Sequence, residues 1–202
     1  MKSKASIVLL SVLGVIAFFV IVAALYSVTM YNRFVSVNEG VNNAWAQVQN
    51  QYQRRADLVP NLVETVKGYA KHERETLENV VASRAKVGQM VVTPETLKDP
   101  KALANFDKVQ GELSSALSRL MAVAENYPNL KANENFLQLQ AQLEGTENRI
   151  SVERMRFNEI VQRYNVSIRR FPAAVLAGMF GFGPKAYFEA QAGAEKPPQV
   201  KF

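Results

Sequence analysis

The hydrophobic and polar positions divide the chain into one long apolar segment near its start and a series of amphipathic segments after it. Residues 5–32 carry no charge, and residues 5–25 are almost entirely aliphatic residues or Phe. At about 1.5 Å per residue, residues 5–25 would form a helix of roughly 31 Å, which matches a bilayer hydrocarbon core of about 30 Å. The pattern therefore predicts a transmembrane anchor over residues 5–28.

The charges that flank this segment predict its orientation. Two lysines and the α-amino group precede it, whereas only Arg33 and Glu39 follow it closely. By the positive-inside rule, residues 1–4 form a cytoplasmic stub and the rest of the chain is extracytoplasmic. A cleavable signal peptide is the alternative, because Val22 and Ala24 are small residues that suit a cleavage site. The apolar segment exceeds the usual signal length of about 7 to 15 residues, which favours a retained anchor.

From residue 34 onward, apolar residues recur every three or four positions, which is the spacing of amphipathic helices. Four such stripes run from Phe34 to Tyr52, Leu62 to Val87, Leu103 to Val123 and Phe136 to Ile168. No segment alternates apolar and polar residues, so we expect no strands. The stripes predict an all-α fold in which residues 32–170 form an up-and-down four-helix bundle of long helices. Four aromatic residues on these stripes are predicted to be buried: Trp45, Phe106, Phe136 and Phe157.

Prolines mark the predicted ends of these helices. Residues 91–100 contain two prolines and the capping residue Asp99, and Pro128 follows the third stripe, so both segments are expected to be loops. Pro60 separates the first two stripes because it lacks an amide hydrogen and disfavours helix at the residue before it. The shared phase of those stripes favours one kinked helix. Their lengths resemble that of the next helix and favour a hairpin at Pro60, which is the expected structure.

Composition narrows the possible functions. With 202 residues, 48% of them hydrophobic, the chain has room for one domain of ordinary size after the anchor. It has no cysteine, which excludes disulfides, thiolate nucleophiles and sulfur ligands for metals. Its formal net charge of +6 is too weak a bias to predict a nucleic acid partner.

The sequence offers no recognisable catalytic motif. His72 is the only histidine, so the metalloprotease pattern with a second histidine four residues later is absent. A di-iron bundle needs Glu three residues before His, and Tyr69 stands there. Three serines have no nearby base in sequence: Ser114, Ser115 and Ser118. We therefore expect no enzyme activity, cofactor, metal or small-molecule substrate. An enzyme or sensor whose site is assembled only in space is the alternative.

Polar residues occupy positions that a helical bundle normally fills with leucine. Such groups can form a buried hydrogen-bond network that sets the register of the helices. An exposed recognition surface is the alternative. The candidates for this structural network are Arg54, Arg55, Asp57, Asn61, Asn133, Asn135, Glu147, Asn148, Arg149, Asn158 and Asn165.

The predicted C-terminal tail, residues 171–202, is apolar at first and then contains prolines. Its apolar part is too short to span a membrane. We expect it to contact a partner protein or a second copy, through Phe171, Val175, Leu176, Met179, Phe180 and Phe182. A cap on the end of the bundle and a segment dipping into lipid are the alternatives. A basic rim suited to lipid phosphate is formed by Arg169, Arg170 and Lys185.

Several motifs resemble the signature of the LemA family of bacterial membrane proteins. They are RRADLVPNLV at residues 54–63, VKGYA at 66–70, YPNLKANENF at 127–136, EGTENRI at 144–150 and PQVKF at 198–202. Shorter matches are Phe157-Asn158, Tyr164-Asn165, Phe171-Pro172 and the FGF of residues 180–182. Phe157 stands where many relatives have Tyr, which removes a hydroxyl. The resemblance implies a membrane helix followed by long helices, and no established enzyme activity, cofactor or substrate.

Together these features predict a structural, scaffold or adaptor protein of the bacterial envelope. Residues 5–28 would anchor it by contact with membrane lipids. It would be a single-pass protein of the inner membrane, with its N-terminus in the cytoplasm and its bundle in the periplasm. It would act through self-association or an envelope protein partner.

Overall fold

The computed structural model describes residues 4–70, 72–90, 93–94 and 96–189, and the described secondary structure is entirely helical. The predictions for residues 1–3 of the stub and 190–202 of the tail, including the PQVKF motif, lie outside the described residues. The helices are α1 Lys4–Tyr69, α2 Arg74–Gln89, α3 Pro100–Ala124, α4 Pro128–Lys131, α5 Glu134–Arg169 and α6 Ala173–Met179. A short 3-10 helix covers Thr96–Lys98. The all-α prediction is confirmed for this part of the chain.

The predicted anchor lies inside α1. Every side chain from residue 6 to residue 26 is exposed, although most of them are apolar. Among the described residues, α1 is the one helix that is long and apolar enough to cross a membrane. Apolar side chains that the protein leaves uncovered are stable in hydrocarbon, so α1 fits a single-pass membrane protein.

The hairpin predicted at Pro60 is wrong, because α1 continues through this residue to Tyr69. Pro60 cannot donate the backbone hydrogen bond that the carbonyl of Ala56 would normally accept. Arg84 of α2 replaces that donor: its Nε donates to the Ala56 carbonyl at 2.9 Å. The chain reverses after Ala70 instead, so the predicted second helix is divided between the end of α1 and α2.

We expect Arg84→Met to lower the free energy of unfolding by about 1 to 2 kcal/mol, because the Ala56 carbonyl loses its donor. In a Pro60→Ala background, the new backbone amide can donate to that carbonyl. The same Arg84→Met change should then cost less than about 0.5 kcal/mol. Urea unfolding of the full chain in detergent micelles, followed by circular dichroism, measures both costs. Equal costs in the two backgrounds would contradict this role for Arg84.

The chain divides into two compact units. The first unit is Met1–Gly40 with Gln162–Pro184, and the second unit is Val41–Val161 with Lys185–Phe202. Helices α1 and α5 contribute residues to both units.

The second unit has a continuous hydrophobic core to which α1, α2, α3 and α5 all contribute. An aromatic cluster surrounds Trp45, whose ring centroid lies 5.2 Å from that of Phe106, 5.7 Å from Phe157 and 5.9 Å from Phe188. Trp45, Phe106, Phe157 and Phe136 are all buried, which confirms that prediction.

Side-chain caps begin two helices of the second unit, and the cap at Asp99 was predicted. Asp99 precedes α3, and its carboxylate accepts a hydrogen bond from the Lys101 amide at 2.9 Å, with Pro100 at the first helical position. Asn133 precedes α5, and its side-chain oxygen accepts from the Phe136 amide at 3.0 Å. These caps satisfy amide groups that the first helical turns leave without partners.

Candidate functional site

The guanidinium of Arg55 is buried in the second unit, where this residue is only 1% exposed. Its Nη1 lies 2.9 Å from Oε1 of Glu147 on α5 and also donates to the Ser114 hydroxyl on α3. Its Nη2 donates to the backbone carbonyl of Gln110 at 3.1 Å and to the side-chain carbonyl of the same residue. Arg55 therefore links α1 to α3 and α5.

A polar pocket of about 340 Å³ lies beside this guanidinium. Besides the pair of Arg55 and Glu147, the pocket contains an ion pair between Arg154 of α5 and Asp107 of α3. Two contacts join their side chains, at 2.8 and 3.1 Å. The Arg154 guanidinium also lies 4.4 Å from the Phe188 ring centroid. The pocket is lined by Tyr52, Arg55, Asp107, Gln110, Gly111, Ser114, Glu147, Ile150, Ser151 and Arg154.

The charges that line the pocket neutralise one another, because each of its two arginines is paired with a carboxylate. Burial raises the pKa of the Tyr52 phenol, although the nearby Arg154 opposes the shift, so this phenol is protonated at neutral pH. The Ser114 hydroxyl lies 3.4 Å from Glu147, which is long for an O–H to carboxylate hydrogen bond. The same Glu147 oxygen is paired with Nη1 of Arg55.

Metal binding finds no support in the described ranges. Within residues 4–70, 72–90, 93–94 and 96–189, no group of three or more His, Cys, Asp or Glu side chains is placed to hold a metal ion. His72 is exposed in the short connection between α1 and α2.

The structure does not bring the eleven predicted network residues together. Only Arg55 and Glu147 form the buried link. Asn158 instead holds the C-terminal segment, since its side-chain amide exchanges two hydrogen bonds of 2.9 Å with the Phe188 backbone. Asn133 caps α5 and donates to the Tyr69 hydroxyl at 3.0 Å, and Asn165 is buried in the first unit. The remaining six are exposed: Arg54, Asp57, Asn61, Asn135, Asn148 and Arg149.

Three of these exposed residues form a polar stripe on α1, which we call the motif stripe: Arg54, Asp57 and Asn61. Their spacing of three and four residues places them on one face of the helix. Asp57 accepts a hydrogen bond from Gln53 at 2.7 Å. The stripe therefore presents a cation, an anion and an amide to solvent.

The predicted apolar tail packs against α1 within the first unit. The Phe182 ring centroid lies 5.9 Å from that of Tyr31 and 5.3 Å from that of Phe34, and the Phe180 ring lies 5.2 Å from Tyr31. Gly181 between them has φ of +76°, a backbone conformation that favours glycine. Leu176 and Phe182 are half-buried.

The other predicted tail contacts remain on the surface. Phe171 is 88% exposed, Val175 59% and Met179 74%, and Phe180 is exposed at the edge of its aromatic contact. We call these four residues the tail patch. They are the largest apolar side chains that the first unit exposes outside α1 and α5.

The predicted basic rim is only partly present. Arg169 and Arg170 are exposed beside the tail patch in the first unit. Lys185 belongs to the second unit and is 5% exposed, with its ammonium donating to the Pro94 carbonyl at 3.5 Å. A buried ammonium has no surface for a lipid headgroup, so the structure corrects the prediction at this residue.

Sequence reasoning missed the partners that α3 supplies. Gln110 is buried and follows Phe106 by four residues, so it continues the apolar stripe of α3. Its polar side chain within an apolar stripe could have indicated a buried hydrogen-bond partner. Asp107 and Arg154 carried no such signal, because charged residues one position off a stripe are ordinary on amphipathic helices.

Comparison with known proteins gives a consistent identification. A sequence model of the LemA family matches residues 44–202. Magnetosome protein MamQ 2 of Paramagnetospirillum magneticum is 26% identical over 208 residues, and MamQ of Magnetospirillum gryphiswaldense is 28% identical over 213 residues. Each alignment covers 95% of this chain and 75% of the relative. Protein LemA of Metamycoplasma hominis is 24% identical over 159 residues, which are 79% of this chain and 68% of that protein. The chain belongs to the LemA family.

Proposed function

We propose that this protein is a membrane-anchored structural or adaptor component of the bacterial envelope that acts by self-association or by binding an envelope protein. The observation that carries the proposal is that several motif residues either pair with one another between helices or face solvent. Arg55 and Glu147 neutralise each other between α1 and α5, with neutral partners on α3, and the motif stripe faces solvent. Membership of the LemA family and similarity to MamQ proteins support an envelope protein held at a membrane.

The proposed architecture is an extracytoplasmic four-helix bundle of α1 beyond residue 32, α2, α3 and α5, with coiled-coil-like packing. Their shared core supports it. The start of α1 and the end of α5 belong to the same unit, which supports an up-and-down order in which α5 returns towards the membrane.

The proposed association surface is the motif stripe. An exposed row with both signs of charge and an amide can pair with a complementary row on a second copy or another protein. It lies in the second unit, outside the hydrophobic segment of α1.

The mass of the detergent-extracted complex tests the proposal. Each chain contributes 22.5 kDa, and we expect a particle that holds several chains or a second protein in fixed ratio. The double variant Arg54→Glu/Asp57→Lys should lower that mass or release the partner, because it reverses both charges of the stripe. Glu64→Lys/Lys67→Glu is the matched control, since it reverses an exposed pair with the same spacing on the same helix. A monomer without a partner would contradict the proposal.

The proposed topology has its own test. In intact spheroplasts, cysteine-reactive labelling of a Ser115→Cys variant should occur without lysis, because α3 is exposed to the extracytoplasmic side. Labelling of Ser115→Cys only after lysis would reverse the proposed orientation. The purified protein should retain Met1 or Lys2 at its N-terminus. A mature N-terminus near residue 25 would show that the apolar segment is a cleaved signal.

A ligand-binding or enzymatic role is the second candidate, and the polar pocket beside Arg55 is the observation that favours it. Native mass spectrometry of the same detergent-extracted sample separates the two candidates. A small molecule retained in fixed ratio by a monomeric chain would favour the second.

A further inference from the structure

The helix α6 buries small side chains and exposes large apolar ones, which is the reverse of an ordinary surface helix. Its buried residues are the small Ala173 and Ala177. Three large apolar residues recur every four positions: Phe171 just before the helix, and Val175 and Met179 within it. Their side chains are on the surface, with exposed fractions of 88%, 59% and 74%. A soluble helix buries its large side chains and exposes polar ones, so this face favours an apolar environment that the described residues do not supply.

The contacts of the tail place this face close to the end of the apolar segment. Phe180 and Phe182 pack on Tyr31, and Phe182 also packs on Phe34. Tyr31 follows Leu25, the end of the aliphatic stretch of residues 5–25, by about 9 Å along the helix axis. The uncharged stretch of residues 5–32 is roughly 42 Å long, which equals the thickness of a bilayer with its headgroups, about 40 to 45 Å.

The tyrosines of α1 indicate where the headgroups of the bilayer lie along this helix. Tyr26 and Tyr31 are exposed on α1 beyond its aliphatic stretch, and tyrosine is enriched at the level of lipid headgroups. Since the tail rings contact Tyr31 itself, the tail patch lies at the same level as the headgroups when α1 crosses the bilayer.

The charges of the first unit fit a phospholipid surface. Outside the apolar segment, residues 26–40 and 162–184 hold four basic residues and one acidic residue, Glu39. The basic ones are all exposed: Arg33, Arg163, Arg169 and Arg170. Two of them immediately precede the tail patch. Cations next to exposed apolar side chains are typical of segments that lie in the interface of anionic membranes.

From these observations we infer that the tail patch is a second membrane contact: α6 lies in the plane of the interface of the bilayer that α1 spans, with Phe171, Val175 and Met179 among the acyl chains and Arg169 and Arg170 at lipid phosphates. The inference rests on α1 crossing the bilayer and is independent of the proposed self-association. Particle mass tests association, and probe depth tests this contact, so the two can fail separately.

Spin labelling of the full chain in vesicles tests the depth of α6. The chain has no cysteine, so a single introduced cysteine is the only labelling position. Val175→Cys and Met179→Cys report on α6, Ile16→Cys is the lipid reference and Ser115→Cys is the water reference. The vesicles contain phosphatidylethanolamine and phosphatidylglycerol, with at most one chain per vesicle. The readout is the ratio of nitroxide collisions with oxygen to collisions with a water-soluble nickel chelate.

We expect the ratio at Val175→Cys and Met179→Cys to exceed that at Ser115→Cys severalfold and to approach that at Ile16→Cys. A ratio equal to the water reference would overturn the inference. A label shielded from both reagents would also overturn it, because another part of the protein would then cover the patch. If the label becomes shielded from the nickel chelate only when the number of chains per vesicle is raised, the patch contacts a second copy. That result would overturn lipid docking.

The arginines are tested with Arg169→Gln/Arg170→Gln in the Val175→Cys chain. The collision ratio should fall severalfold in anionic vesicles and change little in phosphatidylcholine vesicles, because only the former offer anionic headgroups in excess. Glu64→Gln/Lys67→Gln is the control for exposed charges outside the first unit. An equal change in both lipid compositions would overturn the role given to the arginines. Circular dichroism of each variant checks that helical content is preserved.

Discussion

Phe157→Ala should lower the free energy of unfolding by about 3 to 5 kcal/mol, the range for removing a large aromatic side chain from a core that cannot collapse. Phe157 has no exposed surface, and its ring lies 5.7 Å from that of Trp45 and 5.4 Å from that of Phe188. These neighbours come from α1 and from the C-terminal segment. Trp45 also packs on Phe106, and the Phe188 backbone is held by Asn158, so we expect little collapse into the space that the ring leaves.

The measurement is urea unfolding of the full chain in detergent micelles, followed by circular dichroism. Met155→Ala is the matched control, because Met155 is an exposed residue two positions earlier on α5. Its cost should stay within about 0.5 kcal/mol. If Phe157→Ala cost less than about 1 kcal/mol, the aromatic cluster would not be the rigid core that its geometry indicates.

Glu147→Gln should cost about 3 kcal/mol, because it leaves the buried cation of Arg55 with only neutral partners. Breaking a buried ion pair by removing one member typically costs about 3 to 5 kcal/mol. The lower end applies because the Glu147 side chain is 39% exposed and water screens part of the interaction.

A second substitution separates the buried charge from other causes. Arg55→Met in the Glu147→Gln background removes the uncompensated cation, so the double variant should be more stable than Glu147→Gln alone. Glu144→Gln is the control, because it lies one turn earlier on α5 and its carboxylate is exposed. Its effect should remain within about 0.5 kcal/mol. If the losses in the free energy of unfolding of the two single variants add up to that of the double variant, the two side chains contribute independently. That result would contradict the ion pair as the cause.

Features that depend on neighbouring positions along the chain were predictable. Apolar spacing predicted the helical structure and the burial of Trp45 and Phe157, because the period of a helix is a local property. The length of the uncharged segment predicted the long apolar helix, since the thickness of a bilayer sets the required number of residues. Asp99 and Pro100 predicted the start of α3, because a cap satisfies amides within the same turn.

Features that depend on distant partners were not predictable in this way. Pro60 reads as a helix end when only its own missing amide is considered. The structure supplies the missing donor from Arg84 on another helix. Arg54 and Arg55 are adjacent and look equivalent in sequence, yet Arg54 is exposed, whereas Arg55 is buried and paired with Glu147, 92 positions away along the chain. Local pattern holds no information about which of two adjacent arginines meets that carboxylate.

The sequence by itself determined an apolar N-terminal helix, an all-helical domain, its main buried aromatic residues and the membership of the LemA family, since each is carried by local spacing or by a continuous motif. Tertiary structure decided where the chain reverses, which polar residues are buried, that Lys185 is buried away from the surface, and that α6 turns its large apolar residues outward. These outcomes depend on which segments meet in space, and hydrogen bonds and packing between distant positions decide that.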